Sequence, residues 1–260
     1  MKVIILCGGM GTRLREETEY RPKPMVEIGG RPILWHIMKL YAYYGYKDFI
    51  LALGYKGNFI RSYFLNYYFY NNDFTVNLGN KNKIKVHSGL NENDWNVTLV
   101  ETGKDSMTGY RVKHCEKYIN EDNFFLTYGD AVSNVDIKKL LEFHKKHNVI
   151  GTVTGVYPPS RFGDLTVSGN LVTVFKEKPK DVTKQHPING GFFVFKKDFF
   201  SLIPDDPQCD LEREPLENIA KNRQLSVYKH HGFWQCMDTY RDYVLLNRLW
   251  KENPEWKVWK

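Results

Sequence analysis

The chain has 260 residues, room for one large α/β domain or two small ones. With 42% hydrophobic and 26% charged residues it is globular rather than disordered in composition, and no apolar run approaches the roughly 20 residues that span a bilayer. A net charge of +7 would suit a nucleic-acid binder, but Lys and Arg are interspersed with Asp and Glu, so the charge reads as a surface that attracts small anions, with neither nucleic acid nor membrane as partner.

In chain order, Val3 to Cys7 reads as a buried strand that starts at once, with no room ahead of it for a signal peptide. Behind it comes LCGGMGTRL, Leu6 to Leu14. Gly8, Gly9 and Gly11 let the backbone approach a ligand, and successive N–H groups can cradle anionic oxygens. A dinucleotide fingerprint would need a third glycine at Leu14, and a P-loop would need Gly-Lys-Ser/Thr, so neither familiar phosphate loop fits. Arg13 adds a planar fork of donors suited to phosphate. In Arg21-Pro22-Lys23-Pro24 two prolines stiffen the chain around one ammonium, which suits a lysine that must meet developing negative charge.

Ile33, Ile37, Leu40, Tyr41 and Tyr44 predict a helix over Pro32 to Tyr44, stopped by Gly45. Phe49 to Leu53, Val97 to Glu101, Asn123 to Tyr128, Val149 to Tyr157 and Phe192 to Phe195 read as further strands. Phe59 to Phe74 is unusually aromatic and is expected to pack in the core or at a subunit interface. Asn134 to His147 and Thr239 to Trp250 complete the predicted helices, the lysines around His144 and His147 suggesting a solvent-facing side. Alternating strands and helices predict an α/β, three-layer, mostly parallel sheet with ligands at the carboxyl ends of its strands. Cys7, Cys115, Cys209 and Cys236 show neither metal-ligand spacing nor a disulfide framework, which predicts a reducing cytoplasm. No linker or internal repeat divides the chain, so residues 1–260 read as one domain.

Asp130 ends the strand Asn123 to Tyr128, where it reads either as a turn residue or as a ligand at the active edge. Asp238, just before the last helix, reads either as an N-cap or as its partner in holding a hard cation.

GGMGTRL together with RPKPMVEIGGRPIL resembles the signature of the sugar-1-phosphate nucleotidylyltransferases. The resemblance continues through Tyr128-Gly129-Asp130, Glu177-Lys178-Pro179, Asn189-Gly190-Gly191-Phe192 and the segment Trp234 to Thr239. EIGGRPILWHIMK, WNVTLVETG, SMTGYRV and GFWQCMDT are most similar to the branch that transfers cytidylyl groups to glucose 1-phosphate. The resemblance implies a three-layer α/β/α Rossmann-like nucleotide-diphospho-sugar transferase fold with a mostly parallel mixed sheet. It implies a nucleotide-binding first half, about 1–130, and a sugar-phosphate-binding second half, about 131–260. The implied reaction takes CTP and glucose 1-phosphate to CDP-glucose and pyrophosphate with Mg²⁺, for dideoxysugar and surface-polysaccharide synthesis. Uridylyl or thymidylyl transfer is the alternative.

By the same resemblance, Arg13 and Lys23 are catalytic, Asp130 and Asp238 hold the metal, and Lys178 contacts the sugar phosphate. Glu177, Asn189 and Gly190 then meet the sugar, with Trp234 either on a sugar face or in the core. The nucleotide is expected at Leu6, Cys7, Gly8, Gly9, Met10, Gly11, Thr12, Arg13, Lys23 and Gly129, and at Ser106, Thr108, Gly109 and Arg111 where relatives place the base. Cytosine offers an amino donor, so Ser106, Thr108 or backbone carbonyls would accept from it, and Arg111 would donate to the base carbonyl or a phosphate. Relatives tend to carry Gly where Tyr110 stands. Family habit implies a homo-oligomer, a hexamer.

Overall fold

The computed structural model describes residues 1–80, 83–87, 89, 92–158, 164–176 and 186–260. Seven strands form its central sheet: β1 Val3–Cys7, β2 Asp48–Leu53, β3 Asn96–Glu101, β4 Asn123–Tyr128, β5 Gly151–Val156, β6 Ile188–Lys196 and β7 Leu225–His230. Their order is β7-β5-β6-β4-β1-β2-β3. β6 runs antiparallel to both neighbours, while every other adjacent pair is parallel. The sheet is therefore mixed but mostly parallel, as expected.

Burial on both faces explains the apolar strand sequences. Along β1, Val3, Ile5 and Cys7 enter one core and Ile4 and Leu6 the other, the period-2 alternation of a pleated strand. The first core is covered by α1 (Ile33–Tyr43) through Ile33, Ile37 and Tyr41, and by the helix Ile137–His147 through Ile137 and Leu140. The other longer helices are α2 Gly57–Leu65, α3 Thr108–Lys113, α4 Ile137–His147, α5 Glu214–Lys221 and α6 Tyr240–Glu252. Val112 of α3 and Leu216 and Ile219 of α5 cover the other face.

The predicted strands and helices all form, with ends displaced by a few residues. Phe192 to Phe195 is the middle of a nine-residue strand that begins before the glycine pair. His144 departs from its expected solvent side. It is 1% exposed, within 2.8 Å of Thr152 Oγ1 and 3.1 Å of Asn123 Oδ1, because the lysines beside it occupy the opposite face of the helix.

The chain leaves β1 outward to β2 and β3, then returns across β1 to β4. The carboxyl ends of β1 and β4 therefore bound the crevice where strand order reverses, the position at which open α/β sheets bind ligands.

Candidate active site

The glycine loop leaves β1 at this crevice. Gly11 sits at φ +64, a left-handed conformation that glycine adopts without steric cost, and it turns the chain into the short 3₁₀ turn Thr12–Leu14. Thr18 Oγ1 bonds the Gly11 and Leu14 carbonyls at 3.0 and 2.8 Å and fixes that turn. A second 3₁₀ turn, Lys23–Met25, carries Lys23 between its prolines, with Pro22 in extended backbone. Leu6, Gly9, Gly11, Thr12, Arg13, Lys23, Thr108, Gly129 and Asp130 line one cleft of about 260 Å³, together with Pro24 and Tyr128.

Two remote segments bring the aspartates to this cleft. Ala131–Ser133 and Trp234–Cys236 pair as a short antiparallel ribbon, and Met237 N–H donates to Asp130 O at 2.8 Å. Lys23 Nζ then lies 2.7 Å from Asp130 Oδ2 and 2.5 Å from Asp238 Oδ1, while Arg13 Nη1 lies 3.0 Å from Asp238 Oδ2. Burial would lower the Lys23 ammonium, but the charges and hydrogen bonds of Asp130 and Asp238 outweigh it and hold the lysine above its usual value. Lys23 is therefore a fixed cation at neutral pH. Both carboxylates reach the same ammonium, so their oxygens face one point beside the cleft. An all-oxygen pair suits a hard divalent cation that completes its shell with water and phosphate.

Asp238 owes its position to a residue missed in the sequence reading. Asp242 closes a capping box with Thr239 at the start of α6, and its Oδ2 also accepts the Asp238 N–H at 3.2 Å. The spacing Thr239-x-x-Asp242 was a readable signal.

Other expected nucleotide residues are placed less directly. Cys7 is fully buried beneath the loop, and burial pushes its thiol far up, so it is an inert packing residue. Met10 is exposed and borders a neighbouring groove with Thr12. Ser106 lies against Gly103, and Gly109 spends its N–H on Cys209 O at 2.9 Å. Tyr110 leans on the His114 ring, leaving α3 intact despite the departure from glycine.

Arg111 lies beneath the loop, away from the cleft lining, where a base contact was expected. It is 4% exposed and donates to Leu53 O (3.0 Å), Thr102 Oγ1 (2.7 Å), Gly103 O (2.8 Å) and Lys104 O (3.2 Å). A Cβ on Gly8 would stand 2.2 Å from its guanidinium, so the absent side chain lets the loop rest directly on the arginine. Arg111 thus braces the carboxyl ends of β1, β2 and β3 together.

Of the residues expected at the sugar, Asn189 Nδ2 donates to the Tyr128 hydroxyl at 3.1 Å, and Trp234 Nε1 donates to Gly190 O at 2.7 Å. The indole therefore anchors the glycine backbone of β6. Glu177 and Lys178 lie outside the described residues. Among the described residues, no helix is long and apolar enough to cross a membrane.

A family model described as Nucleotidyl transferase matches residues 2–253. The glucose-1-phosphate cytidylyltransferases of Salmonella typhi and Salmonella typhimurium are each 49% identical to this chain over 262 residues, covering 100% of both partners in each comparison. The solved structure of HddC from Yersinia pseudotuberculosis superimposes with a TM-score of 0.67 at 23% identity, covering 95% of this chain and 98% of that one. At that identity the structural likeness establishes the fold.

Proposed function

Because the chain belongs to the nucleotidyl transferase family, we propose that it transfers a cytidylyl group from CTP to α-D-glucose 1-phosphate, releasing pyrophosphate and giving CDP-glucose. The observation that carries the reading is the Lys23 ammonium held between Asp130 and Asp238 beside the glycine loop. The full-length identity to two glucose-1-phosphate cytidylyltransferases supports the choice of base and sugar.

In this reading a phosphate oxygen of glucose 1-phosphate attacks the α-phosphorus of CTP in line. The bond from the α-phosphorus to the bridging oxygen breaks, and pyrophosphate leaves with its electron pair. No covalent intermediate with the protein is needed, so catalysis rests on alignment and on stabilising charge. Gly8 to Arg13 cradle the triphosphate with backbone N–H groups. Arg13 and Lys23 face the charge that builds on the α-phosphate and leaving group. Arg111 holds the loop in shape from below. Asp130 and Asp238 would hold Mg²⁺, which would supply charge neutralisation at the phosphates. Asn189 and Gly190 are assigned to the sugar, and Glu177 and Lys178 keep their roles at the sugar and its phosphate. The first half of the chain binds the nucleotide and the second the sugar phosphate.

A cytoplasmic homo-oligomer, hexameric by resemblance, feeding dideoxysugars to surface polysaccharide completes the proposal. Phe59, Leu65, Tyr68, Tyr70 and Phe74 are all exposed along one segment, which supports self-association. The test of the reaction is pyrophosphate release with glucose 1-phosphate and Mg²⁺, comparing CTP, UTP, dTTP and ATP. Preference for CTP is expected. Preference for another nucleotide keeps the chemistry and overturns the base assignment.

A further inference from the structure

A carboxylate outside the machinery described so far accepts from two hydroxyls on one cleft wall. Thr108 Oγ1 donates to Glu212 Oε2 at 2.7 Å, with Asp210 Oδ1 a more distant acceptor at 3.5 Å, and the Tyr128 hydroxyl donates to Glu212 Oε1. Each hydroxyl also accepts: Leu211 N–H reaches Thr108 Oγ1 at 2.9 Å, and Asn189 Nδ2 reaches the Tyr128 oxygen at 3.1 Å. A hydroxyl has one proton and two lone pairs. Thr108 and Tyr128 have each committed the proton to Glu212 and one lone pair to the chain. What each can still offer in the cleft is a lone pair. A substrate group meeting this wall must therefore be a donor. The wall adjoins Asn189, whose neighbour Gly190 is anchored by Trp234, so the donor belongs to the sugar end of the cleft, and Thr108 is assigned there in place of the base contact that the resemblance implied.

Building on the nucleotidyl-transfer reading, we propose that Glu212 is a positioning residue that fixes Thr108 and Tyr128 as acceptors for a hydroxyl of the hexose phosphate. Glu212 touches neither reacting phosphate and acts through the two hydroxyls. Burial and the adjacent Asp210 push the Glu212 carboxyl above its usual value; in its ionised form it accepts at both oxygens and donates at neither. Glutamine in its place keeps the shape but presents one amide that donates. It turns one of the two hydroxyls around, so that a proton points at the substrate's donor. An acceptor on the cleft wall mismatched in this way loses discrimination more than it loses fold.

The experiment compares wild type, Glu212→Gln and Tyr128→Phe on glucose 1-phosphate and on its monodeoxy analogues at positions 2, 3, 4 and 6, with CTP saturating. Wild type is expected to reject at least one monodeoxy analogue by tenfold or more in kcat/KM. Glu212→Gln is expected to raise KM for glucose 1-phosphate about tenfold and to reject that same analogue less than threefold, with KM for CTP within twofold of wild type. Tyr128→Phe in the Glu212→Gln background should cost less than it does alone, since the two side chains act as one unit. Unchanged discrimination in Glu212→Gln, an effect confined to CTP, or losses that multiply independently in the double variant overturns the proposal. Melting curves guard against misfolding, and the isosteric glutamine keeps the site filled. Wild type that releases no pyrophosphate with any nucleotide removes the reaction itself and this inference with it. Wild-type turnover with an indifferent Glu212→Gln removes the inference alone.

Discussion

Lys23 and Asp238 are 215 residues apart in sequence, yet Lys23 Nζ lies 2.5 Å from Asp238 Oδ1. The ammonium belongs to a proline-braced turn near the start of the chain and the carboxylate to the loop ahead of the last helix, so the fold alone makes the pair. Lys23 is well placed to meet charge on a transferring phosphoryl group, and removing one such electrostatic contact typically costs ~100-fold or more in kcat. Lys23→Ala is expected to lose turnover on that scale while its circular dichroism spectrum stays that of wild type. The check is steady-state pyrophosphate release; turnover within a few-fold of wild type excludes Lys23 from the chemistry.

Asp130 and Asp238 carry a prediction of their own. On the proposed metal role, Asp130→Asn or Asp238→Asn each weakens one of two oxygen ligands, so divalent-cation affinity is expected to fall at least about tenfold and turnover with it. Asp242→Asn disturbs the hydrogen bond that positions Asp238, and outer-shell changes of this kind typically cost about 10- to 100-fold in affinity or activity. Titration with Mn²⁺ followed by electron paramagnetic resonance reads affinity without turnover. Chelation should abolish pyrophosphate release and added Mg²⁺ restore it. Unaltered Mn²⁺ binding in both asparagine variants assigns the metal elsewhere.

Most of the architecture was legible because local signals agreed with the fold. The apolar runs of β1, β2 and β4 are buried on both faces, and buried parallel strands read as continuous hydrophobic stretches. β7 was missed because it is an edge strand with half-exposed residues, LSVYKH, and lacks that run. In the candidate site, the glycine loop, Lys23, Asp130 and Asp238 were found through motifs. Glu212 carries no motif, since its role depends on Thr108 and Tyr128, 104 and 84 residues away. Arg111 was assigned to the ligand because a sequence shows a guanidinium's charge but not the four backbone and hydroxyl oxygens that occupy it. His144 was read as solvent-facing from its lysine neighbours, although helical spacing puts it on the same face as buried Leu140 and Leu141.

Arg111 yields a stability prediction. Alanine there leaves the Gly103 and Lys104 carbonyls without the arginine's donors and opens space under three strand ends, a loss of about 3 kcal/mol. Arg111→Lys restores charge but supplies a point donor in place of a planar fork, so about half of that loss should remain. Gly8→Ala attacks the same contact from the other side, since its Cβ would stand 2.2 Å from the guanidinium. Urea unfolding measures all three. An Arg111→Ala variant as stable as wild type but without CTP binding reassigns the arginine to the ligand.

His36 supplies a pH prediction independent of the cleft. It is 1% exposed among Trp35, Trp250, Trp256 and Trp259. Its Nε2 donates to Ile28 O at 2.9 Å, and its Nδ1 accepts from Trp256 Nε1 at 3.3 Å, which is the pattern of a neutral ring. Burial lowers its pKa to about 4, opposed by the backbone bond to Ile28. The folded state therefore resists protonation while the unfolded chain protonates near the ordinary histidine value. This contribution to stability is fully present above that ordinary value and is lost as pH falls through the window down to about 4. Between pH 7 and pH 5 it amounts to about 2 kcal/mol. His36→Asn cannot titrate, so its stability should fall less with acid than that of wild type, by that difference. His144, also held near 4 by burial, acts with the same sign in both proteins and cancels. Urea unfolding free energies of the two proteins at pH 7 and pH 5 decide the matter, and parallel pH profiles would show that His36 is protonated in the fold.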